Sequence, residues 1–326
     1  MTGAPLPRIV VLDGHTLNPG DLSWEPLAAL GSIEVFARTA PELLLERARG
    51  AALLLTNKAP IDEAAIAQLP ELRYIGVLAT GTNIVDRAAA RTHGIVVSNV
   101  PDYGADSVAE HTLALMLEAS KHLARHTAAA RDGGWSAQPD FSFSVREIRL
   151  LAGRTLGLVG LGAIGRRVAE LARAFKMTVL AARREGDTSR RESGAEVSWC
   201  TLDTMLEAAD FVSLHCPLSE QTEHMINRER LARMKPGAVL INTARGALID
   251  EGALALALRS GPLAAAYLDV LGKEPPPAGH PLIGLPNCWI TPHVAWASVE
   301  ARARLMDIAV GNVRAFLAGT PLHVVN

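Results

Sequence analysis

The stretch LGLVGLGAIGRRVAE (Leu156–Glu170) carries Gly160, Gly162 and Gly165 in the order G-x-G-x-x-G. An apolar run precedes these glycines and an amphipathic run follows them, so the stretch predicts a strand, a tight turn and a helix. In such a turn the first glycine permits the bend, the second lets backbone approach a pyrophosphate, and the third allows close helix packing. We interpret it as a dinucleotide-binding loop rather than a simple helix-packing turn, with phosphates at the helix N-terminus.

Short apolar runs alternate with helix-like segments on both sides of this loop. The strand-like runs are Arg8–Gly14, Ala51–Asn57, Leu72–Gly81, Gly94–Val100, Thr155–Gly160, Met177–Ala182, Ala195–Cys200, Asp210–Cys216, Ala238–Thr243 and Leu263–Val270. The six runs from Thr155 onward match the strand count of a complete dinucleotide-binding sheet. Ala105–Arg131 reads as one long helix, and Asp132–Gly153 reads as an irregular arm or interface loop. The alternation favours an α/β fold with parallel sheets over a sandwich.

Composition sets the outer limits on function. The chain has 326 residues, 49% of them hydrophobic, which allows two domains with sizeable cores. A formal net charge of −2 gives no indication of nucleic-acid or acidic-membrane binding. Cys200, Cys216 and Cys288 have neither metal-ligand spacing nor the even count of a disulfide framework, so we expect no metal and three buried thiols. Without an export signal or a long apolar run, we expect a cytoplasmic protein.

The residues that follow the second strand after the glycine loop indicate the choice of cofactor. An NAD site usually places Asp or Glu there to accept a hydrogen bond from the ribose 2′-hydroxyl. Here the strand ends in Arg183 and Arg184, whose guanidinium groups would attract a 2′-phosphate, so NADP(H) is favoured over NAD(H). The alternative, in which both arginines are merely solvated and Glu185 binds the ribose, stays open.

Three later strand-like runs each end near a polar residue, namely Arg245, Glu274 and His293. Carboxyl ends of parallel strands face the ligand crevice, so these residues can converge. Reduction of a 2-keto acid needs a cation for the carboxylate, a proton for the carbonyl oxygen and a hydride for the carbon. Arg245 can bind the carboxylate and the carbonyl, His293 can deliver the proton, and Glu274 can orient the imidazole. We predict that these three residues are catalytic and that a nicotinamide supplies the hydride.

Several long motifs now identify a family resemblance. The segments VGLGAIGRRVAE, LHCPLSEQTEHMIN, MKPGAVLINTARGALIDE, LDVLGKEPP, TPHVAWAS and NVPDYGADSVAEHTLALML are similar to those of D-isomer-specific 2-hydroxyacid dehydrogenases. The resemblance implies two Rossmann-like α/β domains with parallel sheets, the substrate domain being discontinuous. It implies a substrate domain at residues 1–100 and 292–326, a dinucleotide-binding domain at 101–291, and hinges near 99–101 and 291–292.

The same resemblance implies further site residues. Asp269 matches the residue that holds the nicotinamide carboxamide, and Cys216–Pro217 line the cofactor crevice. The other residues assigned to the cofactor site are Ala163, Ile164, His215, Thr222, Thr243, Ala244 and His293. The backbone of Leu78, Ala79, Thr80 and Gly81 is expected to bind the substrate carboxylate. Relatives that act on a phosphorylated substrate tend to carry arginine where Thr80 stands, which favours a small unphosphorylated acid here.

The segment AWAS after His293 resembles the glycerate dehydrogenase and hydroxypyruvate or glyoxylate reductase branch. We therefore expect reduction of hydroxypyruvate or glyoxylate. The alternatives are a broader 2-ketoacid reductase with a bulkier substrate and a non-catalytic, cofactor-sensing binding protein. Trp296 is interpreted as either a pocket wall or a helix-packing residue. By resemblance the chain forms a homodimer through the long helix and the arm, with Trp135 reaching the partner's active site.

Overall fold

The computed structural model describes residues 6–184 and 197–326. The strands are β1 Arg8–Val11, β2 Ser32–Val35, β3 Leu53–Thr56, β4 Tyr74–Val77, β5 Val96–Ser98, β6 Thr155–Val159, β7 Thr178–Ala182, β8 Ser198–Cys200, β9 Phe211–Leu214, β10 Val239–Asn242, β11 Ala265–Leu268 and β12 Cys288–Ile290. The α-helices are α1 Glu25–Ala28, α2 Leu44–Ala48, α3 Glu63–Ala67, α4 Arg87–Thr92, α5 Ala105–Lys121, α6 Leu123–Arg131, α7 Ala163–Ala174, α8 Leu202–Ala208, α9 Arg228–Arg233, α10 Glu251–Ser260 and α11 Val299–Leu317, with 3₁₀ turns at Pro41–Leu43 and Gly246–Leu248.

These elements form two compact units. Unit 1 contains the described residues up to 104 and residues 297–326, whereas unit 2 contains the described residues from 105 to 296. The sequence predicted boundaries at 100–101 and 291–292, which would place His293 and Trp296 in the same unit as residues 297–326. In the structure the boundaries lie after residues 104 and 296, so His293 and Trp296 belong to unit 2. No helix in the described part of the chain is long and apolar enough to cross a membrane.

Unit 2 is built on a seven-stranded parallel sheet with the order β12-β11-β10-β9-β6-β7-β8. Side chains alternate between its two faces, so Leu240 enters one apolar core while Val239 and Ile241 enter the other. Both faces are covered by helices, which explains why these strands read as almost continuous apolar runs. The chain order reverses between β6 and β9, and in doubly wound sheets this reversal opens the ligand crevice at the carboxyl ends.

Unit 1 has a five-stranded parallel sheet with the order β2-β1-β3-β4-β5. Its order reverses between β1 and β3, where the Asp13 carboxylate accepts hydrogen bonds from the backbone N–H groups of Asn57 and Ala59 at 2.7 and 2.8 Å. Asp62 and Asp86 cap α3 and α4 in the same way, each accepting from an N–H in the first turn. Caps of this kind each stabilise a helix by about 1 kcal/mol. The predicted two-domain α/β class with parallel sheets is confirmed.

Two strands differ from the sequence prediction. The strand-like runs before Thr155 omitted β2, because its side chains are mostly exposed and it lies at the sheet edge, which leaves no apolar run to recognise. The dinucleotide-binding sheet was predicted with six strands but has seven, since the short run before His293 adds β12 beside β11. The predicted run Ala195–Cys200 is only partly testable, because residues 195 and 196 lie outside the described residues.

The prediction of one helix over Ala105–Arg131 is wrong. The helix ends at Lys121, and His122 takes a left-handed conformation with a φ of 51° before α6 begins at Leu123. A break of one residue leaves the spacing of alanines and leucines nearly unchanged, so the sequence pattern does not reveal it. Leu123, the first residue after the break, is 59% exposed.

Candidate active site

The glycine loop lies at the switch point of the unit 2 sheet, between the ends of β6 and β9. Gly160 has a φ of 100°, and a Cβ there would lie 2.6 Å from the carbonyl oxygen of His215. A Cβ on Gly165 would lie 2.1 Å from the Gly160 carbonyl oxygen. These two positions exclude side chains because backbone from β6, α7 and the β9 loop meets there, as the spacing predicted.

Gly162 differs from the other two glycines because a Cβ at this position would have no neighbour within 4 Å in the part of the chain that the structure describes. It is the N-cap of α7, and no side chain caps the helix there. The first N–H groups of α7 therefore have no capping side chain among the described residues, and they lie at the positive end of the helix dipole. This arrangement fits the pyrophosphate of a dinucleotide, and Ala163, Ile164 and Gly165 form the first turn.

His215 follows β9 and supports the same fit. Its Nε2 lies 2.8 Å from the Ser213 hydroxyl, while its Nδ1 is buried and has no hydrogen-bond partner among the described residues. Burial lowers the pKa of His215 to about 4, so the ring is neutral at neutral pH. A buried polar atom without a partner costs free energy, and a bound cofactor is one group that could satisfy it.

The end of β7 carries the residues expected at the adenosine ribose. Arg183 donates its backbone N–H to the Cys200 carbonyl oxygen at 2.9 Å, which fixes the main chain at the end of β7 and β8. The side chains of Arg183 and Arg184 are exposed. Glu185, the alternative partner of the ribose, lies outside the described residues, so the choice between the two arrangements remains a prediction.

Arg245 stands in the turn after β10 and is oriented by Asn242. The buried Asn242 side chain donates to the Arg245 carbonyl oxygen at 2.8 Å and accepts from the Ala244 N–H at 3.0 Å. The Arg245 guanidinium is exposed and donates to the Ala244 carbonyl oxygen at 2.6 Å. The next residue, Gly246, lies against the backbone that leads to Glu274, since a Cβ on it would be 1.9 Å from the Leu271 carbonyl carbon.

His293 and Glu274 form a hydrogen-bonded pair. The imidazole Nδ1 lies 2.6 Å from the Glu274 Oε2, and the two side chains are 28% and 33% exposed. Because a carboxylate only accepts, Nδ1 is the donor, which leaves Nε2 as the nitrogen able to pass a proton to a substrate. The second Glu274 oxygen accepts from the Leu271 N–H at 2.9 Å, so this carboxylate is held by its own loop.

Asp269 supports the loop that carries His293. Its carboxylate is 1% exposed and accepts from the Thr291 hydroxyl at 2.6 Å and from the N–H groups of Val294 and Ala295 at 2.9 Å each. The His293 N–H donates to the Asp269 carbonyl oxygen at 2.9 Å, and His293 has a φ of 55°. Asp269 therefore fixes the strained backbone on which the histidine stands. Its predicted contact with a nicotinamide carboxamide stays a prediction.

Two supporting residues were not predicted from the sequence. His111 on α5 lies 3.2 Å from the Thr291 hydroxyl and 3.7 Å from the Asp269 carboxylate. Asn242 was read only as the end of a strand, although it orients the Arg245 turn. Asn242 could have been noticed because it is the one polar residue of an otherwise apolar strand. His111 is 180 residues from Thr291, and no sequence pattern links the two.

The remaining predicted cofactor residues lie in the same unit. Cys216 and Pro217 follow β9, and the Thr222 hydroxyl donates to the Pro217 carbonyl oxygen at 2.8 Å. Thr243 and Ala244 follow β10, where Thr243 is buried and its hydroxyl lies 3.3 Å from that of Thr112. These residues follow the carboxyl ends of β9 and β10, on the same edge of the sheet as the glycine loop after β6.

Unit 1 carries the loop predicted to bind the substrate carboxylate. The Leu78 N–H donates to Thr56 at 2.8 Å, and the Thr80 hydroxyl donates to the Val100 carbonyl oxygen at 2.9 Å, so the loop is tied to β3 and to the exit of β5. Among the described residues, no acceptor pairs with the N–H groups of Ala79, Thr80 or Gly81. Successive free N–H groups are a suitable binding site for a carboxylate.

The two tryptophans assigned to the substrate pocket have different surroundings. Trp135 in the arm is 55% exposed and donates its indole N–H to the Phe141 carbonyl oxygen at 3.1 Å. Trp296 is half-buried at the end of unit 2. Their substrate roles remain predictions. In the described residues, no group of three or more His, Cys, Asp or Glu side chains is arranged to hold a metal ion.

Comparisons with known proteins match this arrangement. Residues 113–295 match the family described as D-isomer specific 2-hydroxyacid dehydrogenase, NAD binding domain. The chain is 42% identical over 322 residues to a hydroxypyruvate reductase of Blautia hydrogenotrophica, covering 98% of this chain and 99% of the reductase. It is 42% identical over 287 residues to a glycerate dehydrogenase of Methylorubrum extorquens, covering 87% and 88% of the two chains.

A solved structure extends the comparison to the fold and the cofactor. It is an NADPH-dependent glyoxylate/hydroxypyruvate reductase from Sinorhizobium meliloti in complex with NADP and malonate. Its TM-score to this chain is 0.82 at 31% identity, and the match covers 98% of this chain and 97% of that one. The likeness therefore spans both units, including the discontinuous one.

Proposed function

The chain belongs to the D-isomer-specific 2-hydroxyacid dehydrogenases, and we propose that it reduces hydroxypyruvate and glyoxylate to D-glycerate and glycolate, with NADPH preferred. It is an NAD(P)-dependent oxidoreductase of small 2-keto or 2-hydroxy acids. The observation that carries the proposal is the 2.6 Å hydrogen bond between His293 and Glu274. The loop that leads to Glu274 also packs against the turn that carries Arg245. Family membership and this pair set the non-catalytic alternative aside.

The proposed roles follow from the donors and acceptors of each side chain. A bound reduced nicotinamide supplies the hydride to C2. Arg245, always charged and exposed, binds the substrate carboxylate and polarises the carbonyl. The His293 Nε2 gives its proton to the carbonyl oxygen as that oxygen gains charge. Glu274 stabilises the imidazolium before transfer and keeps the ring from rotating. In the oxidative direction the same Nε2 accepts the hydroxyl proton.

A loop of unit 1 indicates the size and charge of the substrate. The loop Leu78–Gly81 offers the backbone N–H groups of its last three residues, for which the described residues provide no acceptor, and none of its four residues is a cation. A phosphate dianion would favour a cation there, whereas a single carboxylate is satisfied by backbone donors. This supports a small unphosphorylated acid, as the names of both relatives do.

Initial rates with a panel of 2-keto acids test the substrate assignment. We expect kcat/KM to be highest for hydroxypyruvate and glyoxylate, lower for pyruvate and lowest for phenylpyruvate. A preference for phenylpyruvate over hydroxypyruvate would favour the broader 2-ketoacid reductase and overturn the assignment. The same panel run with NADPH and NADH gives the cofactor preference, which we expect to favour NADPH because Arg183 and Arg184 stand at the end of β7.

We also propose a homodimer formed through the arm and α6. Large apolar side chains are exposed along this segment: Leu123, Trp135, Phe141, Ile148 and Leu150. Phe141 is 92% exposed, and a water-exposed apolar run of this kind is typical of an interface. A cavity of about 740 Å³ lies in the same unit, lined by residues of α5, the arm and β12. Light scattering after size exclusion should give twice the chain mass, and Phe141→Arg should give the monomer.

A further inference from the structure

Glu251 and His280 form a second carboxylate–imidazole pair in unit 2, outside the roles proposed above. Glu251 is the first residue of α10, and His280 lies in the segment between β11 and β12. The His280 Nε2 is 3.1 Å from the Glu251 Oε2, and the two side chains are only 6% and 22% exposed. An ion pair or charge-assisted hydrogen bond this well shielded holds its geometry better than a surface pair.

The pair is directly bonded to the loop that carries Glu274. The other Glu251 oxygen accepts from the Gly272 N–H at 2.8 Å. The preceding N–H, that of Leu271, donates to Glu274 at 2.9 Å. Two consecutive N–H groups of one loop therefore bind two different carboxylates, of which one holds the loop and the other bonds to His293. Because Leu271 and Gly272 are adjacent, we expect a displacement of Gly272 to move the Leu271 N–H that Glu274 accepts from.

The opposite side of this loop is closed by backbone. Gly246, the residue after Arg245, would place a Cβ 1.9 Å from the Leu271 carbonyl carbon and 2.2 Å from the Gly272 nitrogen. The loop is thus enclosed between the Glu251 carboxylate and the Arg245 turn. A Cβ on Gly272 would also meet the Glu251 carboxylate at 3.2 Å, so the carboxylate packs closely against the loop as well as accepting from it.

His280 fixes the orientation of the Glu251 carboxylate. Its Nδ1 lies 3.4 Å from the Leu282 N–H and can only accept from it, which assigns the ring proton to Nε2, the nitrogen that faces Glu251. The His280 N–H and carbonyl oxygen are held in turn by Pro277 and Ile283. The imidazole is therefore a donor fixed in one direction by its own segment.

We propose that Glu251 and His280 are positioning residues for the reaction, acting through the Gly272 N–H on the carboxylate of Glu274 and hence on the imidazole of His293. The inference rests on the proposed function, because it assigns to these residues the placement of its proton donor. A misplacement of about 1 Å at a reacting group lowers a rate by roughly a hundredfold, so a support of this kind controls turnover without touching the substrate.

The test compares Glu251→Ala and Glu251→Gln with Glu229→Ala as the matched control. Glu229 is also in the first turn of a helix, α9, but it is exposed, and its partner is the exposed Arg233 at 3.5 Å. We expect Glu251→Ala to lower kcat roughly ten- to hundredfold while KM for hydroxypyruvate and NADPH change by less than about twofold. Glu251→Gln keeps an oxygen for the Gly272 N–H and should recover most of kcat.

A double-mutant cycle separates positioning from general destabilisation. In a Glu274→Gln background the loop no longer presents a carboxylate to His293, so Glu251→Ala should lose most of its effect on kcat. Additive effects of the two substitutions, or a Glu251→Ala kcat equal to that of Glu229→Ala, would overturn the inference. If Glu251→Ala does not fold, His280→Asn, too short to reach the carboxylate, takes its place, with an expected kcat loss of about three- to tenfold.

A second measurement does not depend on the substrate. The proton between the His293 Nδ1 and Glu274 should give a far-downfield NMR signal, which His293→Ala removes and thereby assigns. We expect Glu251→Ala to broaden or shift this signal and Glu229→Ala to leave it unchanged. An unchanged signal in both variants contradicts the positioning role. If the parent protein does not reduce hydroxypyruvate, the proposed function fails, while this signal still decides the inference.

Discussion

Two loops at the carboxyl edge of the same seven-stranded sheet are built in opposite ways. The glycine loop after β6 works by lacking side chains, since backbone occupies the space where a Cβ on Gly160 or Gly165 would lie. The loop after β11 works through carboxylates, with Glu251 and Glu274 bound to its consecutive N–H groups. The first loop therefore depends on the lack of side chains within six residues. The second depends on one carboxylate of its own, Glu274, and on another, Glu251, that lies 21 residues away in the chain.

The largest effect is expected from His293→Ala, which removes the proton donor at the end of the carboxylate-supported loop. Turnover should fall by roughly 10²–10⁴-fold, the usual contribution of a general acid, while NADPH binding stays nearly intact because the glycine loop is untouched. Steady-state rates together with NADPH fluorescence titration measure both quantities. His93→Ala, which removes an exposed histidine of unit 1, is the control. Turnover equal to that of the parent would exclude His293 as the acid.

The second prediction contrasts two glycines of the same loop. A Cβ in Gly165→Ala collides with the Gly160 carbonyl oxygen, so the free energy of unfolding should fall by about 1–3 kcal/mol and cofactor binding should be lost. A Cβ in Gly162→Ala meets no atom of the described residues within 4 Å, so stability should hold while NADPH affinity decreases. Denaturant unfolding and NADPH titration separate the two. Equal losses of stability in both variants would contradict the open cradle at Gly162.

The third prediction concerns the end of β7. There we expect the arginine side chains to contact the cofactor, whereas in the glycine loop the backbone does so. Arg183→Asp places a carboxylate where a 2′-phosphate would be repelled, so the ratio of kcat/KM for NADPH to that for NADH should fall by about tenfold or more. Arg228→Asp, an exposed arginine at the start of α9, should leave the ratio unchanged. An unchanged ratio in Arg183→Asp would favour the arrangement in which Glu185 binds the ribose.

The smallest effect is expected from a glycine outside both loops. Gly311 lies inside α11 of unit 1, and residues 6–184 and 197–326 place no atom within 4 Å of a Cβ there. Gly311→Ala should raise the free energy of unfolding by about 0.5–1 kcal/mol, because alanine loses less backbone entropy in a helix, and kcat should not change. Thermal and denaturant unfolding measure the gain. A loss of stability would show that more than helix propensity acts at this position.

The glycine loop and the main strands could be predicted from sequence because their signals are local. Spacing of three glycines between an apolar run and an amphipathic run specifies strand, turn and helix together. The edge strand β2 was omitted because an exposed edge needs no apolar run, and the break at His122 was missed because one left-handed residue does not disturb the helical spacing. Local patterns cannot report either feature.

The catalytic residues could be proposed from sequence, but not the groups that hold them. Arg245, Glu274 and His293 each follow a strand, and strand ends of one sheet share an edge. Asp269 could be recognised as a polar residue at the end of a strand. Its hydrogen bonds to Thr291, Val294 and Ala295 could not be predicted, because they depend on how the loop after β12 folds back. Glu251 reads as an ordinary acid in the first turn of a helix, and its contact with Gly272 is 21 residues away.

The most direct test of the central claim is the product of one reaction, analysed for stereochemistry and stoichiometry. The parent protein is mixed with limiting NADPH and excess hydroxypyruvate, and the glycerate formed is resolved into its enantiomers. We expect D-glycerate in an amount equal to the NADPH oxidised, with none formed above background by His293→Ala. Oxidation of NADPH without D-glycerate, formation of L-glycerate, or no oxidation at all would contradict it.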